Sequence, residues 1–495
     1  MYKRKELALL VLSIGLLTNM NSPLQAGPVA IPSIFSENMV LQRDVPVPVW
    51  GWAGDGEEIT VAIATQKVKT VAKDGKWRVT LQPLKAGGPY TLSIMTTNIS
   101  DTIMLTQVMA GEVWIICGQS NALMPLNDVE GVEEAITNRF RYPDIRVAEV
   151  GRRDSHTFRT PQTSVEGYWG PTKWENSTYM VPRSSKTDVP GTCSAVGYFF
   201  SRDLYDYFKG QVPVGLVQVT AILPVETWID EETILATPEL APLKGKGYPN
   251  ATSCGFNANV APLAPFPVRG VVYYQGEMNS GRGQEYRYAL PAMIRSWRNA
   301  WNNPDLPFVI VQLPGFVKHL GPDDKRLDMD AATLAQFKKE NAEHGYCGIR
   351  EAQLMTWQSV PRTGLAVTID LGDPYDIHPR KKLPVAQRLF LQARQLVYGE
   401  KDLVASGPVP EKIELKGDRA VITFKCIGGG LVANGNELKG FELSADGKSF
   451  VPAQARIEGN TVVVTQADIK EPKAVRYAWA GCPDVSMYNK EGLPA

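Results

Sequence analysis

The sequence predicts an α/β protein: a three-layer core around a parallel sheet, flanked by N- and C-terminal β-sandwich-type segments. Three observations carry this expectation. Apolar runs of buried-strand character alternate with helical segments through the middle of the chain. Short β-like runs broken by Asp-Gly and Asn-Gly turns fill both flanks. At about 100–200 residues per domain, a chain of 495 residues is also too long for one.

The core is expected over 109–401. Runs at Val113–Cys117, Val214–Val219, Gly270–Tyr274, Phe308–Gln312 and Leu365–Ile369 interleave with helical segments at Ser194–Lys209, Glu285–Asn302 and Pro384–Tyr398. Such alternation builds a parallel sheet covered on both faces, with chemistry gathered at the carboxyl ends of the strands. An N-terminal β domain is expected over 27–108, with runs at Val47–Trp52, Ile59–Ile63, Trp77–Leu81 and Tyr90–Ile94. Prolines 46 and 48 put the first of these at a sheet edge. A C-terminal β domain is expected over 402–495, from Lys412–Leu415, Ala420–Phe424 and Thr461–Thr465.

Residues 1–26 read as a signal peptide. Tyr2-Lys3-Arg4-Lys5 is a basic start, Leu7 to Leu17 is apolar, and Ala26 offers a cleavage site. The expected location is therefore secreted or periplasmic. No other stretch approaches about 18 uninterrupted apolar residues, so no membrane contact is expected of the mature chain. Lys plus Arg and Asp plus Glu each number 52, and this balance argues against a nucleic-acid binder that works by neutralising phosphates. The six cysteines permit disulfides in an oxidising compartment, but no CxxC pair suggests zinc. Cys117, at the end of an apolar run, is expected to be a free buried thiol. No metal site is expected. Of four histidines, His156, His319 and His344 have no ligand-like spacing.

Three positions just past strand runs are candidates for chemistry. Gly118-Gln119-Ser120-Asn121 follows the first run, and a serine on a tight strand-to-helix turn can present its hydroxyl beside unused backbone N–H groups. Asp373-Pro374-Tyr375-Asp376-Ile377-His378 follows Leu365–Ile369, where a nearby carboxylate can orient an imidazole. In Gln275-Gly276-Glu277-Met278-Asn279, amide side chains flank a glycine and can donate to an oxyanion. Glu277 reads as a structural residue hydrogen-bonded to neighbouring backbone, since no facing glycosidase carboxylate can be chosen. Trp114 reads as core. Trp169 and Trp174 are the better candidates for a sugar cleft, and Arg152-Arg153 reads as a solvated loop.

Together these blocks resemble the sialate O-acetylesterase family of the SGNH (GDSL-like) hydrolase superfamily. Further similarity lies in Gly111-Glu112-Val113-Trp114, Ser194 to Phe200, Val212 to Leu216, Phe35 to Gln42 and Tyr488 to Ala495. The resemblance implies an SGNH-hydrolase-like core and a serine esterase that removes O-acetyl groups from sugars without metal or organic cofactor. Its partner would be an O-acetylated glycan or sialic acid. Ser120 would be the nucleophile and His378 the general base. Asp376 would be the orienting acid, with Asp373 as the alternative, because superfamily members commonly space this pair as Asp-x-x-His and residue 375 is tyrosine. Oxyanion donors would be the Ser120 N–H, a backbone N–H near Ala221, and an amide from Gln275, Gly276 or Asn279. Two departures stand out: Ala221-Ile222 where relatives often carry Gly-Gly, and Ala122 where methionine is common. An esterase acting on acetyl xylan or another hemicellulose is the alternative within enzymes. From another class, a catalytically impaired carbohydrate-binding protein is the rival. The signal-peptide reading has a direct check: N-terminal sequencing of the exported chain should begin at Gly27, and a start at Met1 would overturn it.

Overall fold

Strands without hydrophobic alternation have to be buried on both faces, and the runs of the middle region obey this. A computed structural model of the chain describes residues 28–150, 162, 166–167, 170–171, 174–176, 193–245, 252–318, 333, 336, 345–435 and 437–495. Its central sheet runs, edge to edge, through Trp174–Asn176, Ile145–Val150, Val214–Thr220, Ile103–Gly118, Gly270–Tyr274, Phe308–Val311 and Thr363–Ala366. All pairings in it are parallel except that of the edge strand Trp174–Asn176. Two packed helix pairs cover it, Ala195–Tyr207 with Lys382–Leu396 and Gly283–Ala300 with Tyr346–Ser359. This is the three-layer α/β core with flanking β segments that the sequence predicts.

Among the elements that escape the sequence patterns, two do so for one physical reason. Ile145–Val150 and the helix Tyr346–Ser359 bury charged side chains, Arg146 and Arg350, which interrupt the apolar runs that mark core elements. Arg350 donates to the Gly481 carbonyl (3.1 Å) and Arg146 to the Asn38 carbonyl (3.0 Å), so each finds a backbone acceptor in another part of the chain. Trp114 is fully buried as expected, edge-on to Phe200 with centroids 5.0 Å apart.

The strand Ile103–Gly118 ties the N-terminal β layer to the core. Its first part pairs with Gly87–Met95, and its middle pairs with Val40–Gln42. Its last seven residues, Glu112 to Gly118, lie beside Val214–Thr220. A β-bulge interrupts the register near Gln107, which sits at φ +58°, and a bulge bends the strand that carries it. The expected boundary at 108/109 falls just after this bend. Val47–Trp52 forms a two-stranded sheet with Lys76–Leu81, and its last residue also bridges Ala30. The C-terminal strands form separate antiparallel sheets over a core of their own, which includes Phe424, Phe441, Leu443 and Val464. Among the described residues no helix is long and apolar enough to cross a membrane.

Glu112, midway along this structure's longest strand, has no exposed surface. Its carboxylate accepts from Arg43 Nε (2.7 Å), Arg269 Nε (2.8 Å) and Nη2 (3.1 Å), and the Tyr398 hydroxyl (2.9 Å). These partners come from the N-terminal layer, the start of a neighbouring strand and the chain beyond the last core helix. Removing one member of a buried charge cluster leaves the others uncompensated. Glu112→Gln should therefore lower the unfolding free energy by about 3 kcal/mol, read from urea melts; an unchanged midpoint would contradict this role.

Candidate active site

The carboxyl edge of the sheet is shaped first by two glycines. Gly118 ends its strand at φ +148°, and a Cβ there would lie 1.9 Å from the Tyr274 carbonyl oxygen. Gly276, at φ +155°, would drive a Cβ to 2.8 Å from Ile349 Cγ2 and 2.9 Å from Leu313 Cδ1. Both conformations favour glycine, and both close approaches demand it. After Gly118 the chain turns at once into the short helix Ser120–Leu123, leaving Ser120 half-buried at its first position. Neighbouring segments hold the turn on both sides: the Gln119 N–H donates to Tyr274 O (3.3 Å), and the Ala221 N–H donates to Gly118 O (3.1 Å).

Beneath this turn lies a buried polar bracket. Gln275 Nε2 donates to Gln119 Oε1 (3.2 Å) and to Asn279 Oδ1 (2.8 Å). Asn279 Oδ1 also accepts the Val225 N–H (3.0 Å), and its Nδ2 donates to Glu226 Oε2 (3.0 Å). Glu226 Oε1 in turn accepts from Arg282 (2.8 Å). Gln275 and Asn279 have no exposed surface. These contacts show what the expected oxyanion donors do in the structure itself. The amides of Gln275 and Asn279 are engaged in holding loops together, and the Ala221 N–H prolongs the strand ladder. Gly276, buried, serves as the tight bend between them.

The histidine arrives from a distance. Two strands separate Ile103–Gly118 from Thr363–Ala366, roughly 14 Å at the usual strand spacing. The loop beyond Thr363–Ala366 bridges that gap through turns made by its aspartates. Asp373 Oδ1 accepts the N–H groups of Tyr375 (2.8 Å) and Asp376 (3.2 Å). Asp376 Oδ1 accepts the His378 N–H (2.9 Å). These are the local side-chain-to-backbone bonds by which aspartate shapes turns. Asp376 is thus joined to His378 through the latter's main chain. Asp373, Asp376 and His378 are all half-buried.

Asn121 joins the two halves. Its Nδ2 donates to Ile377 O (2.9 Å), one residue before His378, and to Glu277 Oε1 (2.6 Å). Its Oδ1 accepts from Lys382 Nζ (2.5 Å). The structure thus brings the Ser120 turn and the His378 loop together. Glu277, expected to bond neighbouring backbone, here accepts from a side chain far away in sequence. Burial pushes the Glu277 carboxyl above its ordinary range, opposed by the Asn121 hydrogen bond, by backbone N–H groups and by Lys382. Burial also brings the Lys382 ammonium down to about 7, against the pull of the Glu277 and Asp376 carboxylates. Sequence reasoning assigned no role to Gln119, Glu226 or Lys382. Lys381 is exposed and Lys382 buried, and no spacing in the sequence signals which of the two points inward.

Trp228 is fully buried, Trp357 half-buried, and Trp174 lies on the edge strand. Trp169, Arg152, Arg153, His156, His319, His344 and the segment 1–26 lie outside the described residues. Among the described residues no group of three or more His, Cys, Asp or Glu side chains is placed to hold a metal ion. Cys117, Cys193, Cys254 and Cys347 are buried thiols, while Cys426 is exposed and Cys482 partly so.

A family model described as carbohydrate esterase, sialic acid-specific acetylesterase matches residues 110–343. The sialate O-acetylesterase of Homo sapiens is 30% identical over 420 residues, which is 79% of this chain and 75% of that protein. The Mus musculus sialate O-acetylesterase is 28% identical over 519 residues, covering 91% and 89%. A solved carbohydrate acetylesterase from Xanthomonas citri superposes with a TM-score of 0.78 at 31% identity, covering 94% of this chain and 98% of that one.

The turn geometry is open to a simple test. Gly118→Ala should lower stability by about 3 kcal/mol, because the new methyl meets backbone rather than a movable side chain. A urea midpoint equal to the wild type's would show that the turn can relax.

Proposed function

Because the chain belongs to the sialate O-acetylesterase family of carbohydrate esterases, we propose that it is an exported serine esterase that removes O-acetyl groups from sugars, sialic acids first among them. Export rests on the signal-like segment 1–26. The observation that carries the catalytic reading is the Asn121–Ile377 hydrogen bond, which places the Ser120 turn beside the His378 loop.

In this reading His378 takes the proton of Ser120 as its Oγ attacks the acetyl carbonyl. Asp376 holds the loop and stabilises the imidazolium that forms. The tetrahedral oxyanion is met by the Ser120 N–H. With the Ala221 N–H engaged by Gly118, the next donor on that loop is the Ile222 N–H, whose side chain is 56% exposed. One such donor is worth about 3–4 kcal/mol in the transition state. The sugar alkoxide leaves with the proton from His378. Water, activated by the same histidine, then attacks the acetyl-serine and releases acetate. No step calls on a metal.

A second reading keeps the chemistry and changes the sugar. The likeness to the Xanthomonas citri carbohydrate acetylesterase, over nearly its whole length, supports an acetylated carbohydrate without narrowing it to sialic acid, and acetylated xylan is the alternative substrate. Acetate release from an O-acetylated sialic acid, acetylated xylan and a small activated acetate ester separates the two. Ser120→Ala and His378→Ala should each reduce kcat by roughly a thousandfold or more. A folded variant of either that keeps near-normal kcat would overturn the assignment. A folded wild type that binds these glycans but releases no acetate would make this a binding protein.

A further inference from the structure

We infer that Lys382 is a positioning residue for this reaction, acting through Asn121 to fix the Ser120 turn against the His378 loop. The inference rests on the serine-esterase reading above. An asparagine amide has two ends of opposite character, and which end faces which neighbour decides what it can join. At Asn121 the oxygen faces the Lys382 ammonium, while the nitrogen faces the Glu277 carboxylate and the Ile377 carbonyl. Turned over, the same amide would set its N–H groups against an ammonium and its oxygen against two acceptors. Inside a buried site each of those contacts is repulsive and unrelieved by water. Lys382 therefore selects the orientation in which Asn121, directly after Ser120, reaches the residue directly before His378.

Nothing local explains a lysine at this point. Lys382 opens the helix Lys382–Leu396, where the helix dipole disfavours a cation, yet it has no exposed surface. Its Nζ lies 5.2 Å from the centroid of the Tyr274 ring, on the strand next to the nucleophile's. The carboxylates that face it come from two different loops, Glu277 after Gly270–Tyr274 and Asp376 beside His378. A rival role for Lys382 is charge balance alone, neutralising Glu277 without orienting Asn121.

Kinetics on 4-nitrophenyl acetate, which needs no sugar pocket, separate the two roles. Lys382→Met should lower kcat by about tenfold to a hundredfold with KM nearly unchanged, as expected for misalignment of reacting groups. If Lys382 acts through Asn121, adding Lys382→Met to Asn121→Ala should lower kcat no further. Glu277→Gln with Lys382→Met removes both buried charges and should recover the melting temperature lost in Lys382→Met, while kcat stays low. Recovery of kcat together with melting temperature would reduce Lys382 to charge balance and overturn the inference. Wild-type kcat in Lys382→Met would overturn it alone. Absence of Ser120-dependent hydrolysis in the wild-type protein would overturn the esterase reading and the inference with it.

Discussion

A carboxylate without exposed surface sits at the middle of the strand from which the molecule is built. Glu112 cannot stay charged there without compensation, since an isolated charge in such surroundings is strongly disfavoured. Compensation comes from two arginines and a tyrosine, each delivered by a separate stretch of chain. The same Tyr398 hydroxyl accepts from Trp114 Nε1 (3.0 Å), so charge balance and core packing meet on one residue. Six residues farther along the strand is Gly118, and two beyond that is Ser120. The position of the candidate nucleophile is thus inherited from the way that strand is anchored.

Around the turn, order comes from polar groups rather than from bulk. Gln119, Gln275, Asn279 and Glu226 form a chain of buried hydrogen bonds ending at Arg282. Asn121, Glu277 and Lys382 form a second cluster on the histidine side. Buried polar groups of this kind are directional, and when paired they admit few alternative arrangements. Three loops that follow different strands are held in register by side chains that water does not reach.

Much of this was readable in the sequence, and what was not has a common cause. Ser120 and His378 stood out because chemistry at the end of an apolar run is a local pattern. The parallel strands were readable because double-sided burial leaves uninterrupted apolar runs. Ile145–Val150 and Tyr346–Ser359 were missed because each buries an arginine whose partners lie far off in sequence. Gln275 and Asn279 were chosen as donors on residue type, which says what an amide can do. It does not say which buried groups stand beside that amide. Lys382 carried no signal at all, because its inward orientation is decided by Asn121, 261 positions away.

The shared strand also bears on how such a protein can be taken apart or recombined. Ile103–Gly118 begins among the N-terminal β strands and ends at the candidate nucleophile. A fragment that starts at the bend near Gln107 would keep the part of the strand that lies in the parallel sheet, yet it would lose Arg43 and the Val40–Gln42 pairing that lie against it. The N-terminal layer is therefore not a detachable module. Both sides of that strand would have to travel together in any exchange between relatives, so in this fold the heritable unit is larger than the parallel sheet.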